Sequence, residues 1–262
     1  MVFALDVGNT NIKCGVFING ELVNSWRMST DMDRTADEYG ITIVSIFKHI
    51  DLDPAEVRGI IISSVIPSIN YTLEHLCGIY FHIKPLFVSP GIKTGMNLKY
   101  DNPKELGADR IVNAIAAYKT YGGPCIVVDF GTATTYGAIS ANGDFLGGCI
   151  SPGLKISTEA LTRSAAKLPR VELIKPECVI CKNTVNAMQA GIIYGYVGQV
   201  DFIIKRMKKE LGSDALVVAT GGLSSLMAAE TKAINEVNSL LTLKGLYYIY
   251  EKNSALEKGD AS

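Results

Sequence analysis

Two short stretches of this chain put the same residue types at the same spacing. The first is Asp6-Val7-Gly8-Asn9-Thr10-Asn11-Ile12-Lys13, and the second begins Asp129-Phe130-Gly131-Thr132-Ala133-Thr134. In each, an aspartate closes an apolar run, a glycine follows two residues later, and hydroxyl or amide side chains come next. That order suits phosphate chemistry. Glycine lets the backbone come close to a phosphate oxygen, successive amides and hydroxyls donate to it, and a strand-end aspartate can hold a hydrated divalent cation. Lys13 adds a charge that could neutralise a phosphate. Either stretch alone reads as an ordinary glycine hairpin with a capping aspartate; finding it twice changes that balance.

A third block runs from Tyr100 through Asn102, Pro103 and Gly107-Ala108-Asp109-Arg110 to Asn113. If a helix continues from Gly107, residues 108, 111, 112 and 115 make an apolar stripe, with Asp109, Arg110 and Asn113 on its flank and beyond. An acid and a base at the edge of a buried face, near a helix N-terminus, suit a site that takes a hydroxyl proton and pairs with a substrate anion. The alternative is a solvated Asp-Arg pair. Neither G-x-x-x-x-G-K-[ST] nor G-x-G-x-x-G occurs, so Walker-type and dinucleotide-type loops have no support. Cys178 and Cys181 have no second pair or histidine pair, which favours two incidental thiols. Residues Lys205 to Lys209 end a long helical pattern and read as a solvated basic face, not a nucleic-acid patch.

The elements that must hold these residues are legible around them. Asp6 and Asp129 are related by one offset of 123 residues, which also superposes Gly8 on Gly131, Asn19 on Asn142 and Gly20 on Gly143 without a gap. We read an internal duplication. In the first copy a helical pattern follows at about 35 to 50, then a strand at Gly59 to Ser64, a helix at about 68 to 77 and a strand at Pro85 to Val88. In the second, a long helix begins after Asn183-Thr184, with Thr184 as its N-cap, and a strand covers Ala215 to Ala219. Strands alternating with helices give an α/β architecture, and Gly122-Gly123-Pro124 marks a stop, so the domain boundary is expected near 120.

The composition agrees. Among 262 residues 48% are apolar and 19% charged, a core-rich globular balance. Lys plus Arg number 25 against 26 Asp plus Glu, a net charge of −1, which leaves no global field for nucleic acid or an anionic membrane. With no signal-like start and no long apolar span, the expected compartment is the cytoplasm, with reduced thiols.

The paired hairpins resemble those of the actin, sugar kinase and heat-shock ATPase superfamily, and Thr220-Gly221-Gly222 resembles its adenosine turn. The blocks ending at Lys13, Arg110 and Thr134, then Gly147 to Gly153, Lys167-Leu168-Pro169 and Asn183-Thr184, follow in order over residues 1 to about 225. In combination they resemble the type III pantothenate kinase family. The resemblance implies two duplicated RNase H-like domains, 1–119 and 120–262, with a nucleotide cleft between them. It implies transfer of the ATP γ-phosphoryl group to pantothenate, the first step towards coenzyme A. Residues Asp6, Val7, Gly8, Asn9, Thr10, Asn11, Ile12, Lys13 and Thr132 would then bind ATP, accompanied by magnesium. Tyr100, Gly107, Ala108, Asp109, Arg110 and Thr184 would bind pantothenate, with Asp109 as proton acceptor. Asp129 would sit at a monovalent cation site for potassium or ammonium. The family also implies a homodimer in which Thr184 reaches the partner's pantothenate pocket. A non-catalytic regulatory relative of the same fold, or a superfamily kinase with another small-molecule substrate, are the rival readings.

Overall fold

The computed structural model describes residues 1–89, 91–212 and 214–259. It divides into two compact units. The first is built from β1 (Val2–Val7), β2 (Asn11–Ile18), β3 (Glu21–Ser29), α1 (Ala36–His49), β4 (Gly59–Ser64), α2 (Asn70–Phe81), β5 (Leu86–Phe87) and the start of α3 (Ala108–Tyr121). The second contains β6 (Cys125–Phe130), β7 (Ala133–Ile139), β8 (Phe145–Pro152), α4 (Leu154–Ser164), α5 (Thr184–Leu211), β9 (Leu216–Thr220), α6 (Ser224–Ala228) and β10 (Glu236–Val237). The last helix, α7 (Leu241–Gly259), belongs to the first unit.

The two sheets have one topology. Their orders are β3-β2-β1-β4-β5 and β10-β9-β6-β7-β8, so in each an antiparallel three-strand meander continues into two parallel strands. The duplication read from the glycine spacing is therefore a duplication of fold. Local register differs, however. In the first hairpin Asp6 lies opposite Lys13, whereas in the second Asp129 lies opposite Thr135. The Gly8 N–H donates to the Asn11 carbonyl and the Gly131 N–H to the Ala133 carbonyl, so the second loop is one residue tighter. The next turn compensates. Asn19-Gly20 is a two-residue turn with both φ positive, as a type I′ hairpin requires, while Ser140 to Asp144 is longer. The gapless match thus superposes Lys13 on Tyr136 only in sequence; Tyr136 is fully buried.

Alternation along β1 assigns its two faces. Phe3, Leu5 and Val7 pack with Tyr39, Ile43 and Phe47 of α1 and Leu73 and Leu76 of α2, and the Phe3 and Phe47 rings meet edge-on at 5.2 Å. Ala4 and Ile61 instead share a core with Val112 and Ile115 of α3 and Leu243, Leu246 and Ile249 of α7. This second core corrects the contiguous 120–262 domain, because α7 packs on β1, β2 and β4 and covers a sheet face that would otherwise be bare. Gly245 permits the close crossing of α7 on α3: a Cβ there would stand 2.2 Å from the Val112 carbonyl oxygen. In the second unit Ile126, Val128 and Phe130 pack with Ile193, Tyr196, Val200 and Ile204 of α5. No helix among the described residues is long and apolar enough to cross a membrane.

Candidate active site

In the first unit the strand end, the hairpin and the first turn of α3 bring the expected residues together. Asp6 is the last polar residue of β1, its carboxylate 3.4 Å from the Lys13 ammonium across the hairpin. Burial pushes the Asp6 carboxyl above the usual aspartate range; Lys13 opposes this and the negative charge of Asp109 adds to it. Asp109 therefore lies within electrostatic reach of the Asp6–Lys13 pair. The loop between β1 and β2 leaves Asn9, Thr10 and Asn11 exposed and is clamped from just past the end of β3, where the Thr30 hydroxyl donates to the Gly8 carbonyl at 2.6 Å and the Thr30 N–H to the Thr10 carbonyl at 3.0 Å. A Cβ on Gly8 or on Gly131 would meet a loop carbonyl at only 3.3 Å, and neither has a left-handed φ. That approach to a backbone oxygen is tighter than an ordinary van der Waals contact, so the turns themselves favour glycine, and the missing side chain also lets a ligand come close to the backbone.

The α3 turn is built by Asn102, whose side chain caps a short 3₁₀ turn at Pro103–Glu105 before the α-helix starts at Ala108. The Gly107 carbonyl accepts the first helical bonds, from the Arg110 and Ile111 N–H groups. Asp109 folds back over Gly107, since a Cβ on Gly107 would stand 2.5 Å from Asp109 Oδ1. Arg110 is buried, 7% exposed, with its guanidinium over the Tyr100 ring at 5.8 Å. That placement removes the reading of a solvated Asp-Arg pair. A buried guanidinium near a helix start, beside a partly open carboxylate, can pair with an anionic group while the carboxylate orients a hydroxyl.

In the second unit Asp129, the penultimate residue of β6, lies beside the Thr220-Gly221 turn; a Cβ on Gly221 would lie 2.5 Å from Asp129 Oδ1. Thr132 is exposed at the hairpin tip. The Gly153 N–H, at the start of α4, donates to the Thr132 carbonyl at 3.1 Å, and a Cβ there would meet that oxygen at 2.2 Å, so the Gly147 to Gly153 block acts by seating the hairpin. The cation chemistry fits on a further observation. Beside each aspartate, at the same parallel-strand position, stands a buried hydroxyl, Ser63 or Thr220, with no hydrogen-bond partner among the described residues, so each carboxylate has beside it a hydroxyl that the fold itself leaves unused.

Several expected residues are placed differently. Val7 and Ile12 are buried in the core, so any part they take in nucleotide binding is through their backbone. Asn183, not Thr184, caps α5: its side chain accepts from the Asn186 N–H at 2.8 Å, and Thr184 is the first helical residue, exposed. Thr30, Ser63 and Gly153 were not singled out by role, because only the folded register reveals what they touch. The thiols of Cys178 and Cys181 donate to loop carbonyls, and no cluster of metal-ligating residues occurs among the described residues.

A doubled β-hairpin ending in aspartate, on two sheets of one topology, defines the fold class of the actin-like ATPases and sugar kinases. A solved structure of a conserved putative Baf family transcriptional activator from Campylobacter jejuni superposes with TM-score 0.61 at 18% identity, over 97% of this chain and 99% of that one. An activator of 2-hydroxyisocaproyl-CoA dehydratase from Clostridium difficile, with bound ADPNP, gives TM-score 0.55 at 14% identity, over 100% and 97%. Sequence is more specific. The family profile described as type III pantothenate kinase matches residues 2–206, and a type III pantothenate kinase of Bacillus cytotoxicus is 56% identical over 262 residues, 99% of this chain and 100% of that protein. The chain belongs to the type III pantothenate kinase family and is a phosphotransferase.

Proposed function

We propose that this chain phosphorylates pantothenate with ATP through the residues placed above. The observation that carries the reading is the first turn of α3, where Asp109 lies within electrostatic reach of the Asp6–Lys13 pair and Arg110 is buried with its guanidinium over the Tyr100 ring. Phosphoryl transfer is mostly positioning and charge stabilisation, so the roles divide simply. The exposed loop residues Asn9, Thr10 and Asn11, with Lys13, hold nucleotide phosphate, and Thr132 has the same role on the second hairpin. Asp6 would supply oxygen to a divalent cation, which when bound would neutralise charge on the phosphates. Arg110 pairs with the pantothenate carboxylate and Asp109 accepts or orients the proton of the primary hydroxyl. Asp109→Asn keeps the shape and removes the basicity, and loss of a positioned base lowers turnover by about 10² to 10⁴. A variant with near-normal turnover at saturating substrates overturns that role.

Two further parts belong to the same proposal. Asp129, with Thr135 and no lysine opposite it, holds a monovalent cation, potassium or ammonium, that offsets the negative charge. The protein works as a homodimer in the cytoplasm. In support, Thr184, Ala187, Gly191, Gly195, Gly198 and Phe202 are all exposed along one face of α5, and a Cβ on any of the three glycines would meet nothing within 4 Å. Such a face lets a second helix approach closely, and it carries Thr184. Light scattering that shows an active monomer excludes a shared site.

A further inference from the structure

We infer that Ser63 and Thr220 are paired positioning residues, each holding the aspartate beside it, Asp6 or Asp129, in the orientation its cation needs. The inference deepens the cation assignments above and rests on them. In the first sheet β1 and β4 run parallel with Asp6 level with Ser63; in the second, β6 and β9 run parallel with Asp129 level with Thr220. Level residues in parallel strands point to the same face, so each hydroxyl stands on its carboxylate's side of the sheet. Both strands are otherwise apolar up to that point: Gly59-Ile-Ile-Ile precedes Ser63 and Leu216-Val-Val-Ala precedes Thr220. The polar residue appears where the strand draws level with the aspartate.

Both hydroxyls are almost wholly enclosed, 1% exposed at Ser63 and 0% at Thr220, and neither Oγ has a hydrogen-bond partner among the described residues. A buried hydroxyl left unpaired is unfavourable, and a chain that folds the same unit twice has kept one at the same position in both. Core packing accounts for neither, since alanine or valine would fill the space without the polar cost. The neighbourhood also differs from an ordinary core: a Cβ on Gly221 would collide with Asp129 Oδ1, which places that carboxylate over the end of β9 next to Thr220. Rotation about one χ1 bond redirects either hydroxyl. Once a carboxylate oxygen turns to a cation, the hydroxyl donates to the other oxygen and fixes the group in place.

The test uses the full-length protein and reads ion binding without turnover. Manganese binding in the presence of ADP is measured by electron paramagnetic resonance, and the melting-temperature rise on replacing sodium by potassium is measured at matched ionic strength. Ser63→Ala is expected to weaken manganese binding about tenfold and leave the potassium response intact. Thr220→Val is expected to do the reverse, with Thr220→Ser restoring the potassium response. Without added ions both variants melt at or above the wild-type temperature, because an unpaired polar group has been removed. Equal effects on both ions, or ion responses within twofold of wild type in both variants, overturn the inference. Wild-type protein that shows neither response overturns the cation assignments themselves, and this inference with them.

Discussion

Replacing Gly107 with alanine separates the position of one carboxylate from the stability of the fold. A Cβ at residue 107 would stand 2.5 Å from Asp109 Oδ1 and 3.7 Å from its Cγ, with no other atom within 4 Å. The backbone at Gly107 is not left-handed, so alanine brings no backbone strain and reduces the freedom of the unfolded chain, a gain of about 0.4 to 1 kcal/mol. The side chain that must yield is the flexible end of Asp109. Its carboxylate has to retreat by roughly 0.9 Å to reach van der Waals distance, at a torsional cost of about 0.5 to 1.5 kcal/mol. These terms nearly cancel, and the melting temperature should stay within about 4 °C of wild type. Catalysis is far less tolerant, because a misplacement of about 1 Å can cost on the order of 10²-fold. Turnover at saturating ATP and pantothenate, followed by coupled ADP release, should fall about 10- to 100-fold. Normal turnover in a protein that melts normally would refute the placement of Asp109, and a melting temperature lowered by 10 °C would refute the steric argument.

Three other outcomes follow from the geometry. Gly153→Ala drives a Cβ against the Thr132 and Gly131 carbonyls at 2.2 and 2.7 Å, and backbone cannot swing aside; stability should drop by about 1 to 3 kcal/mol and the KM for ATP should rise, as denaturant titration and initial rates would show. Asp6→Asn should abolish activity yet raise stability at neutral pH. Burial raises the folded-state pKa of Asp6 above its unfolded 3.8, so the protonated acid favours folding below 3.8 and that contribution is lost as pH rises through the folded value. The variant's advantage in urea midpoint should therefore shrink as pH falls towards 4, and an advantage that does not change with pH would contradict the assignment. Activity at saturating magnesium should rise with potassium or ammonium more than with sodium, and Asp129→Asn should blunt that rise.

What could be read without a fold was governed by local rules. The strand at Gly59–Ser64 matches its expected bounds because an apolar run between turn residues has few alternatives. The hairpins, the Gly107 to Arg110 turn and the start of α5 were legible because glycine, proline and capping residues act on their immediate neighbours. What escaped depended on distant partners. The return of α7 to the first sheet is set by Leu243, Leu246 and Ile249 filling a face more than 150 residues upstream. The burial of Arg110 comes with a contact to Tyr100, ten residues earlier and outside the helix, which helical periodicity does not reveal. The cap of α5 moved by one residue because Asn183 and Thr184 are both good caps, and only backbone geometry chooses between them. Ser63 carries no sequence signal and Thr220 only that of the glycine turn it opens; strand register alone sets them beside their aspartates.

The most direct measurement is ADP release by the purified full-length protein with magnesium, potassium and ATP, with pantothenate added or left out, and the product identified by mass spectrometry. The account predicts ADP formation that depends on pantothenate, equals the phosphopantothenate formed, and falls by about 10² or more in Asp109→Asn. ADP release that is indifferent to pantothenate, or pantothenate phosphorylation that survives Asp109→Asn undiminished, would contradict it.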